Sequence, residues 1–469
     1  VHLTDEPDTD VGVDPYYGVR TKPVPGTFWK KLLARNPNYK GRNIYIYEGF
    51  LGIPISEYRL RWKGLLYNIR IGKGEINIEA TDPLKSIKDV YLPEQIELRM
   101  LGNISTMTTQ LPLANTSAIS TYAYFRCDDE IIQINSHNSA INTAYVERAV
   151  LGSQVATHGD GNKLTPIWVR GSENPFTTMQ YLLEFGGIPS SSINTTAFQT
   201  ASTWPAIDPN VACLIKDPIS VEQLYYELVD LTNCRSWYGE DQKITIQRDI
   251  LNDPARTYAN LTDNFHIIED SVSLDLQGNE HITRCSMFWG QYALGNDKDS
   301  TAYKYLTISI DADAESSVDY NEVLEKTIYC RWLSDTAVSI EDANINAKSY
   351  TGRQVFFNRD PRKIMTFDIE IKDSTILTGN HVNITSDEFQ DVYGNPLEMK
   401  AVVVKRESKN NGRIAVKCQA LPDRSILIMA SSSVGNWTAS SPSERLANGF
   451  MSDAHGMMPD GQTLGYSMY

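Results

Sequence analysis

Two β-patterned stretches of this chain, 338 residues apart, carry glycines at matching distances. In the first, Gly41 precedes Ile44 by three positions and Gly74 follows it by thirty. In the second, Gly379 precedes Val382 by three and Gly412 follows it by thirty. Under that constant offset Ile46 falls on Ile384, Leu66 on Val404, Ile76 on Ile414, Ile78 on Val416 and Ala80 on Cys418. Side chains of a strand alternate between faces, so a shared offset keeps one face apolar in both stretches. Two-residue periodicity alone lets any pair of hairpins be slid into agreement. The equal gap of thirty residues is what argues for a duplicated β domain.

Around these copies the local patterns change several times. "GTFWKKLLARN" (26–36) places Phe28, Trp29, Leu32 and Leu33 on one helical stripe, capped by Thr27 and stopped before Pro37. From Gly41 the period is two: "NIYIYEGF", then "EYRLRWKGLLYNIRI", a "GKG" turn and "EINIEA". "DPLKSIK" (82–88) has an Asp cap, a proline at the first helical position and Leu84 and Ile87 facing inward. Between 112 and 170 short strands ("TYAYFR", "IIQIN", "AYVERAV") alternate with polar turns at "CDDE" and "SHNS". Helical signals follow in "NPFTTMQYLLEFGGIP" and "SVEQLYYELVDLTNC", before the strand "KITIQRD". From about 265 strands return, broken by a predicted helix at "YNEVLEKTIYCRWLS" (320–334). The expected fold class is a multidomain, β-rich α+β chain.

Charge and motif spacing exclude several functions. With 58 acidic residues against 43 basic ones, a net charge of −15 argues against a clamp on a phosphate backbone, which needs a basic stripe. The six cysteines form no C-x-x-C pair, so no zinc or iron-sulfur signature exists. No run of 18 apolar residues occurs, and neither H-E-x-x-H nor G-x-S-x-G is present. No catalytic, cofactor-binding or metal-binding residue is assigned from the sequence, and the chain reads as a non-enzyme.

"ERAVLGSQVATHGDGNKLTPIWV" (147–169) tests that conclusion most sharply. Gly159 and Gly161 begin a phosphate-loop pattern, but Leu164 stands where its third glycine belongs. His158 and Asp160 beside these glycines read as an exposed turn. The acidic groups at 127, 239, 311 and 386 read as solvated turns rather than as the paired carboxylates of a glycosidase. The aromatic residues Tyr45, Tyr47, Tyr58, Trp62 and Tyr67 lie in strands, where packing alone favours them.

"DEIIQIN" followed by "YVERAVLGSQVATHGDGNKL" resembles a recurrent β module of bacteriophage tail proteins, carried by Glu130, Ile131, Ile132, Val146, Arg148, Leu151, Gly152, Ser153, His158, Gly161 and Leu164. "NPFTTMQYLLEFGGIPSSSINTTAF" resembles the helical segment that follows it in central hub proteins of tail tips, baseplates and gene transfer agents. "TGNHVNITSDEFQDVYGNPLEMKAVVVKRE" is similar to the second tube-like β domain of that family. The resemblance implies a tube-like β domain with an N-terminal arm and short helices at 1–111 and a β insertion module at 112–170. A helical or mixed hub domain at 171–264, a second tube-like β domain at 265–420 and an extended arm at 421–469 follow. It implies a homotrimer, whose two tube-like domains present pseudo-sixfold symmetry to the tail tube and threefold symmetry to tip proteins. The implied partners are the distal tail or tail tube protein, tip fibre or spike proteins and the tape measure protein, with DNA passing unbound and no membrane insertion. The implied place is the virion tail tip, after assembly in the host cytoplasm. A cell-wall hydrolase, expected to show converging carboxylates, and a carbohydrate-binding adhesin, expected to show an aromatic platform, are the alternatives. The scattered apolar residues of 421–469, among them Ile426, Trp437 and Tyr469, are expected to anchor the arm on a neighbour.

Overall fold

The computed structural model describes residues 2–5, 27–116, 119, 122–202, 210–248, 257–263, 265–277, 281–292, 294–316, 320–334, 340–391, 393–409 and 412–422. The expectations for the N-terminal arm and for the C-terminal arm beyond 422 lie outside the described residues. The rest forms a multidomain, β-rich α+β fold.

The first sheet is antiparallel, in the order β1 (His2–Thr4), β4 (Glu75–Thr81), β3 (Arg59–Ile71), β2 (Asn43–Glu48). Helix α1 (Phe28–Arg35) forms where its stripe places it, yet none of its residues is buried. Thr27 stands at its N-cap without capping it; Asp5 does so instead, accepting from the Trp29 amide at 3.2 Å and the Thr27 hydroxyl at 2.6 Å. A 3₁₀ turn over Pro83–Asp89 follows, with Asp82 accepting from the Lys85 amide and Leu84 and Ile87 buried as expected.

Short strands β5 (Tyr91–Leu92), β6 (Leu98–Arg99) and β7 (Gln110–Pro112) lead to β8 (Tyr124–Cys127), β9 (Glu130–Asn138), β10 (Thr143–Glu147) and β11 (Lys163–Glu173). Strand β9 runs through Ser136-His137-Asn138, so the turn expected at "SHNS" lies later, where Asn142 takes positive φ. Helices α2 (Pro175–Phe185) and α3 (Thr195–Ser202) precede β12 (Val211–Ile215), which pairs with β11 and extends the sheet. Then come β13 (Ile219–Ser220), α4 (Val221–Leu231) and the hairpin β14 (Cys234–Tyr238)–β15 (Ile244–Arg248). Asn174 and Ser220 cap α2 and α4 through their side chains, and α4 buries Leu224, Leu228 and Leu231.

Strands β16 (Tyr258–Thr262) and β17 (Ser273–Gln277) flank a second large sheet. In the chain, between β17 and the remaining strands of that sheet, comes a separate three-stranded sheet of β18 (Arg284–Gln291), β19 (Tyr303–Ile310) and β20 (Glu325–Tyr329). The helix expected at 320–334 is therefore incorrect: Glu325–Tyr329 pairs in parallel with β18, where Thr327, Ile328 and Tyr329 suit a pleated surface better than a helix. The long helix is α5 (Ile340–Asn358), which buries small residues, Ala343 and Ala347, along with Tyr350 and Val355. Strands β21 (Arg362–Glu370), β22 (His381–Gln390), β23 (Pro396–Ser408) and β24 (Arg413–Ala420) complete the second sheet, in the order β16-β22-β23-β24-β21-β17.

One buried cluster runs from Leu84 to Tyr350 across the middle of the chain, and a second, including Phe367, Ile384 and Val416, fills the 365–418 sheet. No described helix is long and apolar enough to cross a membrane.

Candidate functional site: the junction of two repeated sheets

The duplication read from the glycines extends to hydrogen bonds. The Gly41 amide donates to Leu66 O at 2.9 Å, and the Leu66 amide donates to Arg42 O at 2.8 Å. In the second sheet the Gly379 amide donates to Val403 O at 2.8 Å, and the Val403 amide donates to Asn380 O at 2.9 Å. Gly41, Gly74, Gly379 and Gly412 all hold positive φ, which a glycine takes without strain. A bulge separates Leu66 from Asn68 in β3, and another separates Val403 from Lys405 in β23. Leu66 is thus matched by Val403, not by Val404 as the fixed offset gives. The matching bulge residues are Tyr67 and Val404, and the second hairpin recovers the register with one more residue in its turn.

The copies differ in covering. Ile76 and Ile78 are buried like their counterparts Ile414 and Val416, but Ile46 is 38% exposed and Ile44 half-buried where Ile384 and Val382 are buried. In the second sheet β16 lies in parallel beside β22 and places the buried Leu261 opposite Ile384. Among the described residues β2 has no such neighbour on its outer side.

The hairpin β14–β15 sits where the sheets meet. Trp237 lies against Gly379, Arg235 donates to Gln419 Oε1 at 3.2 Å, and Glu240 at the hairpin tip takes an arginine from each sheet. Its Oε2 accepts from Arg61 at 3.2 Å and its Oε1 from Arg406 at 2.6 Å, while Arg61 also donates to Glu48 at 2.5 Å. Burial, partly offset by the Glu240 charge, lowers the Arg406 pKa from its ordinary value. A cavity of about 420 Å³ opens here, with Glu48, Arg59 and Arg61 on one wall and Arg406, Ser408 and Arg413 on the other.

The 147–169 stretch builds a different kind of arrangement. Glu130 is fully buried and accepts Arg148 Nε at 2.6 Å, Arg148 Nη2 at 2.7 Å, the Ala149 amide at 3.1 Å and the Ala156 amide at 3.0 Å. His158 is buried too, not exposed as expected, because an isolated antiparallel bridge ties its backbone to Ile104. Its ring nitrogens face Glu130 Oε2 at 2.9 Å and Asp128 Oδ2 at 3.1 Å. Burial raises the Glu130 pKa, but the hydrogen bonds from Arg148, the Ala156 amide and His158 outweigh it and hold the carboxyl below its ordinary range. Ser153 Oγ accepts from the Ile131 amide at 2.9 Å, while Leu151, Gly152 and Gly161 take positive φ. The motif residues are therefore the parts of one charge-paired corner.

Cys127, Asp128 and His158 bring three possible metal donors within 4.8 Å of one another. Burial pushes the Cys127 thiol up to about 12, and the His158 nitrogens already face carboxylates, so these donors are committed to the fold. Asp160 stands apart, accepting from the Gly102 amide at 2.6 Å. Other acids expected as solvated turns also hold cations: Glu240 holds Arg61 and Arg406, and Glu315 holds Arg284 at 2.8 Å. The sequence pattern placed Asp128 and Glu240 in solvated turns because their partners are distant along the chain.

No protein-family model and no curated sequence matches this chain. Among solved structures, it is similar to the tail protein from Neisseria meningitidis MC58 at 9% identity, covering 76% of this chain and 95% of that one, with a TM-score of 0.33. It is similar to the 43 kDa tail protein of prophage MuSo2 from Shewanella oneidensis at 10% identity, covering 76% and 98%, with a TM-score of 0.32. To a chain of the native gene transfer agent virion the likeness is 10% identity over 82% and 83%, with a TM-score of 0.38. Tail proteins and a gene transfer agent particle are what this chain is similar to.

Proposed function

We propose that this chain is a structural hub of a phage tail tip or baseplate. Three copies form a ring in which the sheets of 1–111 and 265–420 alternate, so that six similar domains face the hexameric tail tube. The three identical chains face tip fibres or spikes on the other side. The units at 112–170 and 171–264 lie between the ring domains in sequence and hold them in place. The distal tail or tube protein, tip proteins and tape measure protein are its partners, in the virion tail tip after assembly in the host cytoplasm. DNA passes through the ring without specific binding, and the role is mechanical rather than enzymatic.

The observation that carries this reading is the duplication of β2-β3-β4 as β22-β23-β24, with matching bulges and glycine hydrogen bonds. A closed ring needs interfaces that repeat, and a duplicated sheet lets one chain supply two adjacent positions. Native mass spectrometry of the full chain tests it. A homotrimer is the expected result, and a species that stays monomeric at every concentration refutes it.

A further inference from the structure

The sheets meet inside one chain, and that meeting is a template for how chains meet. The first sheet contributes what we call its front, the connection from β2 to β3 with Glu48, Arg59 and Arg61. The second contributes its back, the β23–β24 hairpin together with the turn at Ile371. Because the sheets are copies, each has both surfaces. The front of the second is the β22–β23 connection, and the back of the first is the β3–β4 hairpin with α1 beside it.

The equivalence of the two backs is specific. The Asp5 amide donates to Gly74 O at 2.9 Å, and the Ile371 amide donates to Gly412 O at 3.0 Å. Asp5 also caps α1, so α1 starts beside its hairpin as the Ile371–Asp373 turn starts beside Gly412. Ile71, opposite Ile76, stands where Ser408 stands opposite Ile414.

We propose that the front of the second sheet seats on the back of the first sheet of a second copy of this chain, repeating the intrachain junction between chains. This rests on the hub reading above. From Thr385 to Met399 the front carries Asp387, Glu388, Asp391 and Glu398 with no Lys or Arg, and Tyr393 at its tip is 86% exposed. The back exposes Lys30, Arg35, Arg70 and Lys73 against fewer acids, Asp5 beside Lys30 at 3.7 Å, Glu79 beside Arg70 at 2.9 Å and the exposed Glu75, and Ile71 there is 46% exposed. Opposite charge fixes the register of such a contact, and Tyr393 and Ile71 supply its apolar centre. Inside the chain two arginine-bearing surfaces meet only because Glu240 is inserted between them. Between chains the surfaces are already of opposite sign, and no insert is needed.

The test uses the full chain in native mass spectrometry and sedimentation. Asp387→Lys with Glu388→Lys is expected to weaken association at least about tenfold, as is Lys30→Glu with Lys73→Glu, and combining all four is expected to restore it. Tyr393→Cys with Ile71→Cys is expected to yield disulfide-linked chains under oxidation, and this neutral pair guards against misfolding of the charge variants. A trimer indifferent to both reversals and forming no cross-link overturns this interface while leaving the hub reading intact. A chain that never associates overturns both.

Discussion

Glu130 gathers the 147–169 stretch around one buried charge. Arg148 and two backbone amides hold its oxygens, and His158 adds a fourth partner. Removing one member of a buried, paired set leaves the others uncompensated, so Glu130→Ala is expected to cost about 3 kcal/mol or more in chemical denaturation. The pH dependence has a definite sign. The folded-state pKa of Glu130 is depressed, so its contribution is complete above its unfolded pKa of about 4.3 and is lost as pH falls through the folded value. Glu130→Gln is expected to flatten the stability profile on the acid side; an unchanged slope would show that the proton uptake lies elsewhere. His158→Ala is expected to lower stability, whereas Asp160→Ala, at an exposed turn, is expected to cost less than about 1 kcal/mol. The sequence showed Glu130, Arg148 and His158 as a spaced set but not their burial. That depends on the pairing of His158 with Ile104, fifty-four positions away, which no local pattern encodes.

Elements were legible where period and capping agreed. The strands from Asn43 to Thr81, the turn at 82–88 and helices α2 and α4 follow from alternation, the Asp82 and Asn174 caps and the helical spacing of apolar residues. Two elements were not. Val323, Leu324 and Ile328 are spaced as a helix would space them, but pairing with β18 decides for a strand. In α5 the buried positions mix Ala343 and Ala347 with polar residues such as Asn346, Thr351, Arg353 and Asn358, so its face carries little sequence signal. The repeated glycines separate conformational from packing costs. Gly41 has open space where a Cβ would stand, whereas a Cβ on Gly379 would run into the Trp237 ring. Gly41→Ala is expected to cost about 1 kcal/mol for positive φ alone. Gly379→Ala is expected to cost about 3 kcal/mol, since the tryptophan must move as well. Equal losses in thermal or chemical unfolding would show that the hairpin β14–β15 does not press on the second sheet.

At the scale of the whole molecule, the duplication was readable from four glycines and an apolar face, whereas the insertion of β14–β15 between the copies was not. Glu240 looked like one acid in a turn, and its partners Arg61 and Arg406 lie 179 and 166 residues away. Glu240→Ala is expected to destabilise the chain by about 3 kcal/mol, because Arg406 is left buried without that carboxylate. A loss below about 0.5 kcal/mol would mark the pair as incidental. The net charge of −15 also carries an expectation for the ring: its lumen should be acidic, so that DNA slides past rather than sticks. Tight DNA binding by the assembled chain at low salt would refute it. Whether one chain supplies two equivalent positions of a closed ring is decided by a threefold map of the assembled chain. Six sheets in a single ring are expected, with β2-β3-β4 and β22-β23-β24 alternating and superposable after a sixth of a turn. A ring in which only one of the two sheets faces the lumen, or in which like copies adjoin, would contradict it.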